Sequence, residues 1–537
     1  MQRIETRGSA LVLVLYLVAL DAVFAADPVR FVLAKHGGAV ALGWVAARLA
    51  GTGAVAWLLV SQRRAVATGA FLLATSAYVV DLAVRGINGD GLTPATLRLA
   101  AGEGGSYGGA ALRVVGGSAC VWALLGLGLM HVLWFLVRDV LPLRTQHPGR
   151  PAGLLVFAAA LSLLLPSPSF LPAFVQPLVA IVDVATHGQP EPARAPIVAV
   201  PARPPRATQI VLVVDESIRG DLLSLARPET RTTPWLEAHR TSFVDLGVAA
   251  ATANCSAIAH AALLTGLLPG DLPDTRGEIR RRPTLFGAAA RAGLRTVLVD
   301  AQASATAPTL ALGADDLVQL SASRIVRAER PALASAGRDG ALADIVVDET
   351  AGPPTFVYAI KRGAHYPYDD AVPPEHRTRT TDEAHALGFQ GAGEAEVARY
   401  LDALAFSVDG FLARLLPRLE GRDVLLFYTS DHGESLLENG HTRTHCSEGR
   451  APAEQGRVPL LVWASGQAAS VLAELRATRP SAFRLHPTLL RVLGFAPGAA
   501  SLFDEGGDDA RRFFSGDALG RSTTWWNPID GEDAEAR

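Results

Sequence analysis

Cysteine is scarce: Cys120, Cys255 and Cys446 are the only three in 537 residues. That count excludes a disulfide-dense scaffold, and the lack of any Cys-x-x-Cys pair excludes a zinc knuckle. A basic excess is missing too. Lysine and arginine number 49 against 52 acidic residues, a formal charge of −3, and a chain without surplus cations is no nucleic-acid binder. Charge of either sign is thin, at 19% of residues against 49% hydrophobic, with a mean hydropathy of +0.25. So apolar a chain has either a very large core or a portion in lipid. No internal repeat is present, and the length suggests two to four domains.

The shortage of charge is local. About 23 charged residues lie in the first 200 positions and about 78 in the rest, the partition expected of a membrane region followed by a soluble one. Five segments are apolar enough to span a bilayer: Ala10–Ala26, Ala39–Val60, Ala65–Val84, Val114–Val137 and Ala152–Val182. The last is interrupted by prolines. Arg3 and Arg7, Arg63 and Arg64, and Arg138, Arg144 and Arg150 all fall on one side if the spans alternate. That side is cytoplasmic by the positive-inside rule, which leaves the remainder of the chain outside the cytoplasm. A signal peptide ending near Val23-Phe24-Ala25 is the rival reading of the first span. The reading divides the chain into a transmembrane region (1–186), a proline-rich tether, His187–Thr208, and a soluble domain (209–537).

Within the soluble part, short unbroken apolar runs alternate with amphipathic stretches. The runs Ile210–Val214, Thr296–Val299, Thr355–Ile360, Val424–Tyr428 and Val458–Trp463 read as strands buried on both faces. Leu285–Ala292 and Tyr400–Leu416 read as covering helices. The pattern predicts an α/β domain with a mostly parallel sheet, whose chemistry sits beyond the carboxyl ends of the strands. Glu216 follows the first run, His365 follows the third closely, and Asp431-His432 follow the fourth. Carboxylate and imidazole donors of this kind suit zinc. Asp215 is either an orienter of a neighbouring ligand or a solvated strand end. His260 is either a phosphate contact or a packed helix histidine.

Ile210–Asp221 (IVLVVDESIRGD) with Arg231-Thr232-Thr233-Pro234 resembles the opening of the phosphoethanolamine transferases, in the alkaline phosphatase/sulfatase superfamily. So do Asp300-Ala301-Gln302, Gly363-Ala364-His365-Tyr366-Pro367, Ser430-Asp431-His432-Gly433-Glu434-Ser435 with Glu438-Asn439-Gly440, Ala451–Pro459 (APAEQGRVP) and His486–Gly494 (HPTLLRVLG). The resemblance implies an alkaline-phosphatase-like domain, held in the periplasm by an inner-membrane anchor. It also implies a two-step transfer from phosphatidylethanolamine to a lipid A-like or other envelope glycan acceptor. The family's nucleophile falls on Ser256, counted nine residues back from Thr265; relatives usually carry threonine there. Ser256 is otherwise readable as a helix N-cap. By the same resemblance Glu216, Asp431, His432 and Ser256 are metal ligands for one zinc ion, or two. His365 and His445 contact the transferred phosphoryl group or a second zinc, with His441 the competitor for the second place.

Departures from the family narrow the chemistry. A sulfatase nucleophile needs Cys-x-Pro-x-Arg, whereas Cys255 has Ala259 at the arginine place and Ser256 has His260. Many relatives carry several disulfides, which three cysteines cannot supply; one bridge, Cys255–Cys446, would suit an oxidising compartment. A phosphoglycerol transferase or a hydrolase using the same site, and a non-enzymatic sensor that binds no zinc, remain open alternatives.

Overall fold

The computed structural model describes residues 194–303, 319–389, 393–438, 443–446, 450–478, 480–496, 498–505, 511–516 and 524–530, with single positions at 52, 69, 72, 73 and 316. All of the long stretches lie in one compact unit, Pro190–Gly520 with Thr524–Arg537. Apart from the single positions 52, 69, 72 and 73, the five expected spans fall outside the described residues, as does His441. Among the described residues, no helix is long and apolar enough to cross a membrane.

Seven strands form the central sheet in the order β2-β9-β6-β1-β5-β3-β4. They are β1 (Gln209–Asp215), β2 (Phe243–Ala250), β3 (Arg295–Asp300), β4 (Ala322–Ile325), β5 (Thr355–Ile360), β6 (Val424–Ser430) and β9 (Arg457–Ser465). Strands β6, β1, β5, β3 and β4 pair in parallel. The expected mostly parallel sheet is therefore present, with one correction. The run Val458–Trp463 is β9, which runs antiparallel to β6 and β2, so its beginning rather than its end lies on the rim that the parallel strands share.

Burial explains the unbroken apolar runs. Every residue of β1, β5 and β6 is buried, and alternate side chains feed two separate cores. Val211, Val213, Val357, Leu426 and Tyr428 pack with α3 (Arg338–Glu349), α4 (Glu394–Ala403) and α5 (Gly410–Leu419). Ile210, Leu212, Tyr358, Leu425 and Phe427 pack with α1 (Ser256–Thr265), α2 (Leu285–Arg291) and α6 (Leu485–Val492). Where Tyr400–Leu416 reads as one helix, the chain instead makes α4, a π-helical turn at Leu404–Asp409, and α5.

The tether also differs from a free spacer. Residues 194–208 form no helix or strand, and Val198 and Val200 are exposed, yet the segment is fastened at both ends. Arg194 donates to the carbonyls of Ile279 (2.6 Å) and Arg282 (3.0 Å). The amides of Ala202 and Arg206 donate to Gly494 and Val492.

Candidate active site

The parallel register sets the strand ends side by side: Asp215 lies opposite Ser430, and Val214 and Asp300 both lie opposite Ile360. The next residues along the chain are Glu216, Asp431, Lys361 and Ala301, so one rim collects side chains from four distant segments. Ser256 joins them as the first residue of α1, whose N-cap is Cys255 and not Ser256. Its hydroxyl lies 3.3 Å from Glu216 Oε2 and 3.2 Å from His432 Nε2.

Glu216 is buried and held on both oxygens. Ser217 donates to Oε1 (2.8 Å) and Gln302 Nε2 to Oε2 (2.8 Å), while His432 Nε2 stands 3.4 Å from Oε1. Asp431 Oδ1 accepts from the amides of His432 (2.8 Å) and Ser217 (3.3 Å). Its other oxygen, fully buried, accepts no hydrogen bond and faces His432 Nε2 at 3.4 Å. His432 Nδ1 sits 2.8 Å from the Gly433 carbonyl; a carbonyl only accepts, so Nδ1 carries the proton and Nε2 the lone pair. Gly433 permits that turn because a Cβ there would stand 2.1 Å from the Glu454 carbonyl.

The His445 and His432 rings lie with centroids 4.0 Å apart and planes tilted by 32°, and the His365 ring centre is 6.3 Å from that of His445. The structure thus brings together Ser256, Glu216, Asp431, His432 and His445, with His365 at the edge. The residues after His432 matter as much. Glu434, wholly buried, accepts from the Tyr368 hydroxyl at 2.7 Å and lies 3.0 Å from His445 Nδ1. Neither Glu434 nor Tyr368 carried an assigned role in the sequence, although Glu434 sits inside the Ser430–Ser435 motif. His260 is a packed helix histidine: its Nδ1 lies 2.8 Å from the Tyr358 hydroxyl, and burial pushes its pKa down to about 4. Asp215 is no solvated strand end, since it is fully buried and accepts from the amide of Glu216.

A disulfide joins Cys255 to Cys446 across 191 residues of sequence. It ties the residue before Ser256 to the residue after His445, and the Cys446 amide adds a 2.8 Å bond to the Asn254 carbonyl. The segment Ala451–Pro459 braces the same junction, with Gln455 bonded to both Asn254 and Ser435.

Electrostatics favour a cation here. Burial pushes Asp431 far above the ordinary carboxyl range, and neighbouring Glu216 adds to it. Burial pushes Glu216 upward as well, but the imidazoles of His432, His365 and His445 outweigh that and hold it well below its usual value. His432 is pushed down to about 3, first by burial. Two adjacent buried carboxyls, Glu216 and Asp431, faced by the lone pair on His432 Nε2, make a site that a bound cation would compensate. One donor atom each from Glu216, His432 and His445 lies within 4.8 Å of the others. With the unpartnered Asp431 oxygen beside them, this nitrogen and oxygen set fits a zinc ion.

A family model described as sulfatase matches residues 208–495. The chain belongs to the sulfatase family. Within it, this sulfatase-family chain is 31% identical over 122 residues to the Kdo(2)-lipid A phosphoethanolamine 7''-transferase of Salmonella typhimurium, covering 21% of each chain. It is 30% identical over 105 residues to the Escherichia coli protein of the same name, covering 19% of this chain and 18% of that one. The matched segments span about a fifth of these relatives. The fold is similar to that of the integral membrane protein lipooligosaccharide phosphoethanolamine transferase A from Neisseria meningitidis. The two share a TM-score of 0.62 and 17% identity, covering 92% of this chain and 96% of that one.

Proposed function

We propose that this chain is a membrane-anchored, zinc-dependent transferase that moves phosphoethanolamine from phosphatidylethanolamine to a lipid A-like or other envelope glycan acceptor. The observation that carries the reading is the position of Ser256. Its hydroxyl stands at a helix N-terminus, between a buried carboxylate and an imidazole lone pair, beside an unpartnered carboxylate oxygen. The phosphoethanolamine transfer for which the relatives are named supports the substrate class, and the missing Cys-x-Pro-x-Arg speaks against sulfate-ester chemistry. The charge-poor first 200 residues support an inner-membrane anchor with the catalytic domain in the periplasm, where a lipid donor is met at the bilayer surface.

In this reading Glu216, Asp431, His432 and Ser256 would hold zinc, with His445 close enough to join them. Zinc bound there lowers the pKa of a coordinated hydroxyl and stabilises charge on phosphoryl oxygens. Ser256 Oγ forms the new bond to phosphorus as the bond from phosphorus to the diacylglycerol oxygen breaks. The hydroxyl proton ends on diacylglycerol, and a phosphoethanolamine ester remains on Ser256. An acceptor hydroxyl or phosphate then displaces Ser256, which recovers a proton. The N-terminus of α1 favours the anionic phosphoryl group. Glu434 orients His445 through Nδ1, and His365 Nδ1 is held 2.5 Å from the Tyr366 carbonyl. Both imidazoles are therefore fixed for proton transfer at the leaving or entering oxygen.

Mass spectrometry of lipids and envelope glycans from cells carrying the wild-type protein or Ser256→Ala tests the proposal. An added phosphoethanolamine group that vanishes with the serine is expected; no Ser256-dependent addition refutes transfer. Release of free phosphoethanolamine without an acceptor adduct would replace it with hydrolysis.

A further inference from the structure

Lysine is the rarer cation of this chain: Lys35 and Lys361 are its only two. Lys361 is not on the surface. It follows β5 directly, is fully buried, and forms an ion pair with the equally buried Asp215, the residue before Glu216. Its Nζ also donates to the Ser407 carbonyl (2.5 Å) and hydroxyl (3.0 Å), lies 3.6 Å from Asp339, and stands 4.3 Å from the centre of the Phe411 ring. Ser407 belongs to the π-helical turn Leu404–Asp409. Such turns depart from the ordinary helical hydrogen-bond ladder and recur at functional sites. Here one delivers its carbonyl to the ammonium.

An ion pair buried in an apolar core is a poor stability device, since well-packed apolar residues of equal volume serve as well or better. What sets this pair apart is what it holds. Asp215 accepts from the Glu216 amide on one oxygen (2.9 Å) and from the Tyr428 hydroxyl on the other (2.6 Å). Meanwhile the main-chain carbonyl of Lys361 accepts from Gln302 Nε2 at 2.9 Å, and the same nitrogen donates to Glu216 Oε2 at 2.8 Å. Glu216 is gripped twice from one lysine: at its backbone through Asp215, and at its carboxylate through Gln302. Gly363 closes the joint, with φ +56°; a Cβ there would stand 2.4 Å from Asp215 Oδ1 and from the Glu216 carbonyl. A compact ammonium suits so tight a pocket, whereas the planar, five-donor guanidinium used elsewhere in the chain does not.

We propose that Lys361, acting with Asp215 and Gln302, is a positioning residue that fixes the main chain and carboxylate of Glu216 for metal binding beside Ser256. The proposal rests on the zinc-dependent reading above. Its test uses the full-length protein in detergent, with three measurements: thermal unfolding of the metal-free form, zinc affinity against a chelating dye, and kcat at saturating zinc. Lys361→Met combined with Asp215→Asn removes both charges at similar volume. This double variant is expected to keep an unfolding midpoint near that of the wild type while binding zinc about ten- to a hundredfold more weakly. Gln302→Leu leaves the Lys361–Asp215 pair intact and tests the second grip alone, with about a tenfold loss of zinc affinity expected. Wild-type zinc affinity and kcat in both variants would overturn the proposal. Full activity of zinc-free wild-type protein would instead overturn the metal reading beneath it.

Discussion

Replacing Cys255 and Cys446 by serine removes the covalent tie between the Ser256 turn and the His445 loop. The bridge closes a chain segment of 191 residues. Chain-entropy reasoning assigns such a loop about 5 kcal/mol at 25 °C, and removal of native bridges costs about 2–5 kcal/mol. The local loss is more specific. Among the described residues, the chain around His445 is also held by the two-residue strands β7 (Ser435–Leu436) and β8 (Arg443–Thr444), by the Cys446 amide on the Asn254 carbonyl, and by His445 leaning on Glu434. Severing the tie should therefore lower the urea midpoint of the full-length protein and, at urea concentrations far below it, reduce zinc affinity. Urea unfolding with and without dithiothreitol, alongside zinc titration of the double serine variant, reads both effects. Alkylation of Cys255 and Cys446 in the untreated native protein, or an unchanged midpoint after their replacement, would refute the reasoning.

Three further outcomes are expected. Glu434→Gln keeps the shape of the side chain but removes the carboxylate beside His445 Nδ1, and should weaken zinc binding about tenfold in the same titration. Gly433→Ala forces a methyl group toward the Glu454 carbonyl 2.1 Å away and should cost about 1–3 kcal/mol or more, read as a lower melting temperature. His260 is buried and His486 half-buried, and burial pushes each down to about 4. The unfolded chain, with ordinary imidazoles near 6.5, binds protons first on acidification. The histidines' share of the stability should thus fall as pH drops from 6.5 toward 4, by about 1.4 kcal/mol per pH unit for each at most, against an opposite contribution from the raised carboxyls of Asp215 and Asp431. Urea midpoints of metal-free protein at pH 7 and pH 5 check the direction.

Strands β1, β3, β5, β6 and β9 were legible in the sequence because both of their faces are buried and nothing polar interrupts them. Strand β2 was not: its interior is only half-buried, and Asp245 and Gly247 accompany a bulge between Asp245 and Val248. Strand β4 is four residues long, at the sheet edge, and only half-buried. The direction of β9 was invisible for a related reason, since an apolar run carries no arrow. At the site, Glu216, Asp431 and His432 could be read because a parallel sheet presents its strand ends together. Lys361, Glu434 and Tyr368 could not. Each acquires its meaning from a partner on another segment: Lys361 meets Asp215 across 146 positions, and Tyr368 meets Glu434 across 66. Ser256 has no local signature beyond a helix start, so only family likeness singled it out.

Because β9 runs against its neighbours, the working rim of the sheet receives chain arriving as well as chain departing. Its opposite rim holds the entries of β1, β5 and β6 and the exit of β9, where Val424 pairs with Ser465. None of the residues gathered around Ser256 lies there. Longer turns or a fused tag on that rim are expected to leave the reacting groups undisturbed. Substitutions at Asp431, His432, Glu434 or Gln455, which stand at or beside the working rim, carry no such freedom.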